Sequence, residues 1–211
     1  MPISLKKGQG VSLLKDDGSE FTKVVVGLGW DMARRKPEKE AKSGGFFASL
    51  FSRFAPQPAL PNIDCDASAF LFQHGRLAGD GDIVSYLNLE HRSHCVKHMG
   101  DNLTGAGDGD DEQIFVDLEH LPKQYDRVVF VVNIFQAKQR GQHFGMIENA
   151  FIRICDDKGY EFCRYNLSEN YDNMTAMIFG GMYRHDGKWK FSAIGQATAD
   201  NDIRSLARKF R

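Results

Sequence analysis

Residues 100–112 read GDNLTGAGDGDDE, with five carboxylates (Asp101, Asp108, Asp110, Asp111, Glu112), four glycines and no lysine or arginine. Carboxylates this close repel one another as soon as they lose water. Either the loop stays fully solvated or cations neutralise it. Aspartate and glutamate are hard oxygen donors, Asn102 and Thr104 add neutral ones, and the glycines let backbone carbonyls turn inward. That is the chemistry of calcium, which takes about six to eight oxygens in a loosely constrained shell. Magnesium keeps more of its water, and zinc prefers histidine and cysteine. The acid spacing after Asp108 does not fit an EF-hand, and its flanks read as strands rather than helices.

Two further groups of acids stand at the ends of strand-like runs. GLGWD at 27–31 ends one such run in a bend that places Asp31 at a sheet edge. In DCDAS at 64–68, Asp64 and Asp66 point to one side if the segment is a strand, which makes them candidate ligands of the same cation site. A competing signal is HRSHCVKH at 91–98. His91, His94, Cys95 and His98 share a face on a helix, and His94 and His98 share one on a strand, but no second cluster completes a zinc site. Clustered aspartates also serve two-metal phosphohydrolases. Neither a nucleophile–base pair nor a P-loop is visible, so the expectation is a protein that is not an enzyme.

The elements that must position these acids are short and β-rich. Residues 11–14 and 23–28 read as two strands joined by a turn through Asp16-Asp17-Gly18. Residues 83–89 read as another strand, and 113–118 alternate with period two. RVVFVVNIF at 127–135 is a near-continuous β-branched and aromatic run, expected as a central strand buried on both faces. Residues 142–149 suggest an irregular turn or short helix. A hairpin follows across residues 156–159. Another joins 176–183 to 188–194 through His185-Asp186-Gly187, where Asp-Gly favours a primed turn. Ile203, Leu206, Ala207 and Phe210 recur at helical spacing, with Asp200 or Asn201 as the expected cap. Many short strands with Gly/Asp turns predict an all-β-dominated β-sandwich with short helices and a C-terminal helix.

One domain is expected over residues 1–211, interrupted by an insertion at about 34–62. The insertion begins with a basic segment, carries a net +4 between residues 34 and 53, and places Phe46, Phe47, Leu50, Phe51 and Phe54 on one face of a short helix. Aromatics on one side and cations around the other suit a partner-docking or membrane-surface helix at 46–54. The 27 basic and 28 acidic residues nearly cancel, which argues against a general nucleic-acid binder. No apolar h-region follows the N-terminus and no apolar run is long enough to span a bilayer. The expected location is therefore cytoplasmic, with a station peripheral to the inner membrane as a variant. Cys65, Cys95, Cys155 and Cys163 form no CxxC pair and read as free, structural thiols; in the simplest hairpin register Cys155 and Cys163 point to opposite faces.

Taken together, GLGWD at 27–31, DCDAS at 64–68, the acidic run at 100–112, ENAFIRI at 148–154, RYNLSE at 164–169 and MYRHDGKWKFSAIGQ at 182–196 resemble the TerD-type tellurium-resistance proteins. The resemblance covers nearly the whole chain in order, and the Phe-rich insertion is similar to one in the TerZ and TerX branches, though longer and more basic. It implies a β-sandwich that binds calcium, usually two ions, at loops gathered on one end. Carried over by position, the implied ligands are Asp31, Asp64, Asp66, Asp101, Asp108, Asp110, Asp111 and Glu112, with Asn102 and carbonyls of residues 103–107 as further oxygens. It also implies a bacterial stress-response role in tellurite resistance, through other tellurium-resistance proteins or a membrane-associated stress complex.

Overall fold

The computed structural model describes residues 1–32, 63–101 and 109–211. The expected insertion, its helix at 46–54, and the ligand candidates Asn102 and Asp108 with the carbonyls of 103–107 lie outside the described residues. The strands are β1 (Ile3–Leu5), β2 (Gly10–Ser12), β3 (Lys23–Met32), β4 (Cys65–Gln73), β5 (Arg76–Leu77), β6 (Ile83–Val84), β7 (Val96–Asp101), β8 (Glu112–Asp117), β9 (Tyr125–Ile134), β10 (Ile147–Asp156), β11 (Glu161–Asn166), β12 (Ala176–His185) and β13 (Lys188–Thr198). Among the described residues, two short α-helices, α1 (Ala137–Arg140) and α2 (Ile203–Ala207), accompany them.

The strands form two sheets, ordered β1-β11-β10-β3-β8-β7 and β2-β13-β12-β9-β4-β5, with β6 on β4. This is the β-sandwich expected from the strand pattern. Alternate residues of each strand face inward, as the period of two requires. Val24, Val26 and Leu28 of β3 with Ile114 and Val116 of β8 join Ala67, Ala69 and Leu71 of β4 and Val128, Phe130 and Val132 of β9 in one core. The outer face of the second sheet is apolar too. Phe70, Phe72, Val129, Val131 and Ile178 are covered there by Ile203, Leu206 and Ala207 of α2. Phe210 closes the lid, its ring 5.9 Å from Phe70 and 5.4 Å from Phe72. β9 is thus buried on both faces, as its unbroken apolar run requires.

Several local expectations are corrected. The turn at 16–18 forms, and its immediate flanks pair through a Leu14–Glu20 bridge, but the strands on either side part: β2 joins β13, whereas β3 joins β8 and β10. The chain there crosses from one sheet to the other, burying Leu13 and Phe21. The bend at 27–31 is absent, because β3 runs on to Met32. Gly27 and Gly29 serve close packing instead. A Cβ on Gly27 would come within 2.2 Å of the Asp110 carboxylate, and one on Gly29 within 2.4 Å of the Phe151 ring. The run at 83–89 keeps only Ile83–Val84 as strand; Ser85 and Asn88 then exchange two backbone hydrogen bonds of 3.0 and 2.9 Å, closing a turn. The C-terminal helix is capped by Asp202, not by Asp200 or Asn201. Asp202 accepts from the Ser205 amide at 2.7 Å and completes a capping box with it. The 185–188 hairpin turns as expected, with positive φ at both Asp186 (51°) and Gly187 (77°).

Candidate metal centre

Among the described residues, topology collects the predicted acids at one end of the sandwich. β3 leaves the sheet there just after Asp31, β4 enters just after Asp64, β7 leaves at Asp101 and β8 enters at Glu112. Asp101 and Glu112 are paired across β7 and β8, and Glu112 also pairs with Leu28 of β3.

Asp110, Asp111 and Glu112 are consecutive, yet their side chains part company. Asp110 lies over Gly27 and accepts two hydrogen bonds from Arg153 of β10, Nε at 2.7 Å and Nη2 at 3.0 Å. Its side chain is 1% exposed, and this fork-to-carboxylate pair strengthens the Arg153 charge. Asp111 closes the strand end: its amide donates to the Leu28 carbonyl at 2.8 Å, and its carboxylate accepts from the Trp30 amide at 2.7 Å. Burial pushes the Asp111 carboxyl above the usual aspartate range, the Trp30 amide opposes this, and the Asp31 and Asp110 charges add to the rise. Among the described residues, no lysine or arginine pairs with Asp111. Glu112 turns inward between the sheets, where it accepts from the Ala67 amide of β4 and lies 3.4 Å from His98 Nε2. It ties the two sheets together at this end.

The remaining acids surround these. Asp31 is exposed and accepts from Asn149 Nδ2 at 2.8 Å. Asp66 is buried on the outer side of β4 and accepts from Asn133 Nδ2 at 3.3 Å. Asp64 stands 3.9 Å from Arg140 Nη1. Cys65, between them, feels the field of the whole group: burial raises its thiol well above the ordinary range, and Asp66, Glu112, Asp64 and Asp111 raise it further. All four cysteines are buried and free, and Cys163 is pushed up to about 12 by burial. Among the described residues, no three histidine, cysteine, aspartate or glutamate side chains form a group able to hold a metal by themselves.

The histidine segment does not converge. His91 is fully buried and bound to Asp82, His94 is exposed beside Glu90, and His98 faces Glu112. It does contain an arrangement the sequence reading missed. Ser93 Oγ lies 2.8 Å from His91 Nδ1, and His91 Nε2 lies 3.2 Å from Asp82, the order of a nucleophile, base and acid. Its partners give it a structural role. The Ser93 amide also donates to Nδ1 at 3.1 Å, the Cys95 amide donates to Ser93 Oγ at 3.3 Å, and Arg92 and Tyr125 both donate to Asp82. The hydroxyl is tied into its own turn. In the sequence Asp82 shows only as part of a Gly/Asp turn, and no spacing links it to His91.

A family model of the TerD domain matches residues 1–210. The chain belongs to the TerD domain family. Stress response protein SCP2 of Bacillus subtilis (strain 168) is 41% identical over 211 residues, the full length of both chains. Tellurium resistance protein TerD of Serratia marcescens is 42% identical over 201 residues, 94% of this chain and 92% of that one. Proteins of that organism named TerX and TerZ are relatives as well. The crystal structure of a TerD homologue from Streptomyces coelicolor A3(2) matches with a TM-score of 0.61 at 17% identity, covering 90% of this chain and 98% of that one. At that identity the likeness concerns the fold alone. The chain is therefore a TerD-family member among stress-response and tellurium-resistance proteins.

Proposed function

We propose that this TerD-family chain is a calcium-binding, non-enzymatic module of the stress response and of tellurite resistance. The observation that carries the reading is Asp111: a buried carboxylate, raised in pKa by its own burial and by neighbouring carboxylates, at a strand end where no described base offsets it. A divalent cation relieves that cost, and the donors present are oxygens of the kind calcium takes. Asp31 and Asp111 would hold one ion together with oxygens from the 101–108 stretch. Asp64 and Asp66, beside the Asn133 amide, would supply a second. Asp110 is set apart as an anchor, since Arg153 occupies both of its oxygens. When bound, calcium supplies charge neutralisation and a fixed arrangement of the acidic end rather than a reaction.

The action follows from that order. A neutralised acidic end presents one defined surface, to other tellurium-resistance proteins or to a membrane-associated stress complex. Direct tellurite chemistry at Cys65, Cys155 or Cys163 is disfavoured, because burial raises the pKa of each and suppresses the reactive thiolate. Among the described residues no helix is long and apolar enough to cross a membrane. The test is calorimetric calcium titration of chelator-stripped protein and of Asp111→Asn. High-affinity calcium binding that survives in Asp111→Asn would end this reading.

A further inference from the structure

Helix α2 and Phe210 cover only part of the outer face of the second sheet, and a basic strip lies beyond them. Val128, Met182, Trp189 and Phe191 point into the core, so their neighbours along β9, β12 and β13 point outward. Strand register sets those neighbours in rows. Arg127, Tyr183, Lys190 and Ser12 stand side by side across β9, β12, β13 and β2, starting beside Phe72 at the margin of the lid. Val129, Gly181, Ser192 and Gly10 form the row on one side, and His185 and Lys188 the row on the other. The glycines keep the strip flat. A Cβ on Gly10 would come within 3.7 Å of the Tyr183 hydroxyl, although β2 and β12 are separated by β13. The half-buried phenol therefore lies down across β13, with one face on the sheet and the other outward.

The cations around this ring are not neutralised. Among the described residues, Arg127, Lys188 and Lys190 have no carboxylate partner, and Asp186 at the hairpin tip lies 3.3 Å from His185. The acidic end is remote. Along β4 and β9, Asp66 pairs with Asn133 and Phe72 with Arg127. That separation is about 20 Å at ~3.3 Å per residue, more than two Debye lengths at physiological salt. The near-zero net charge thus conceals a locally cationic face.

We propose that this strip binds single-stranded nucleic acid, with one base on the outward face of Tyr183 and the adjoining phosphates at Arg127, Lys188 and Lys190. An unpaired base offers its π-face to an aromatic ring lying flat on a sheet, and cations on either side of the ring meet the backbone that carries it. A duplex keeps its bases stacked on one another and has no face to offer. The strip is open, so it suits a strand running across it rather than a free nucleotide, which needs a cavity to bury it. An acidic protein segment would use the cations and leave the ring idle.

Full-length protein in chelator would be titrated, by fluorescence anisotropy, with a labelled oligothymidylate about fifteen nucleotides long and with a duplex of the same length. The single strand should bind about tenfold tighter than the duplex or better. Tyr183→Leu, which keeps the sheet covered but removes the ring, should weaken single-strand binding by about tenfold, the size of one base–aromatic stack. Arg127→Gln combined with Lys190→Gln should reduce the slope of log affinity against log salt by about 1.4, since each phosphate contact on a single strand contributes about 0.7. The glutamine pair keeps the stems of both side chains, so it carries the test if Tyr183→Leu fails to fold. No binding of the oligothymidylate, equal binding of the duplex, an affinity unchanged in Tyr183→Leu, or a salt slope unchanged in the glutamine pair would each overturn the proposal. Polyglutamate that displaces the strand and binds Tyr183→Leu as well as the parent would assign the strip to an acidic protein segment, and overturn it too. None of these outcomes depends on whether calcium binds.

Discussion

Three adjacent acids end up with three different sets of partners, and substitution should separate them. Asp111→Asn removes a charge but keeps the acceptor for the Trp30 amide, so the fold should survive while calcium affinity collapses in calorimetry. Asp110→Ala should do the reverse. It strips Arg153 of its bidentate partner and should cost roughly 2 kcal/mol in urea melts, short of the 3–5 kcal/mol for a fully buried pair because Arg153 keeps Glu161. If Asp110→Ala abolished calcium binding with stability intact, Asp110 would be a ligand rather than an anchor. Gly29→Ala drives a methyl into the Phe151 ring and should destabilise by about 1–3 kcal/mol, as overpacking does. The run of acids was plain in the sequence, but its directions were not. Each side chain is aimed by a cross-strand partner far away in the chain: Arg153 for Asp110, Trp30 for Asp111 and Ala67 for Glu112.

At the scale of elements, the buried His91–Asp82 contact locks the segment before β7 to the turn after β5 and to Tyr125 of β9. Burial lowers the His91 pKa below its ordinary 6.5, and the Asp82 hydrogen bond opposes the shift. In acid the unfolded chain then binds a proton that the folded chain resists, so stability holds above the unfolded pKa and falls as pH drops through it. Denaturant midpoints between about pH 7 and pH 5 should therefore decline, and His91→Gln should flatten that slope while lowering stability overall. A slope unchanged by the substitution would assign the acid sensitivity to other groups. The C-terminal cap gives a second check: Asp202→Ala should cost about 1 kcal/mol and loosen the lid over Phe70 and Phe72. Long elements were legible because period and turn chemistry agree there, as for β9, the 185–188 hairpin and the C-terminal helix. At 27–31 and 83–89 they were not, because a glycine chosen for close packing resembles a turn and a short apolar run resembles a strand.

For the whole molecule, the order of strands matters more than any one of them. Strand ends some eighty residues apart, Asp31 and Asp111, meet only because β3 lies beside β8, and Asp64 and Asp66 join them because β4 of the facing sheet enters at the same end. Sequence could name these acids and the sandwich that gathers them. It could not show that Arg153 pairs with Asp110, or that Gly29 leaves room for the Phe151 ring, since both depend on register between β3 and β10. We propose that calcium neutralises the acidic end of the sandwich. Calorimetric titration of chelator-stripped protein, with magnesium and zinc in parallel, tests that most directly. The prediction is saturation near two equivalents of calcium with weak magnesium and no zinc response, as an oxygen-only donor set requires. No calcium heat, or zinc binding in its place, would contradict it.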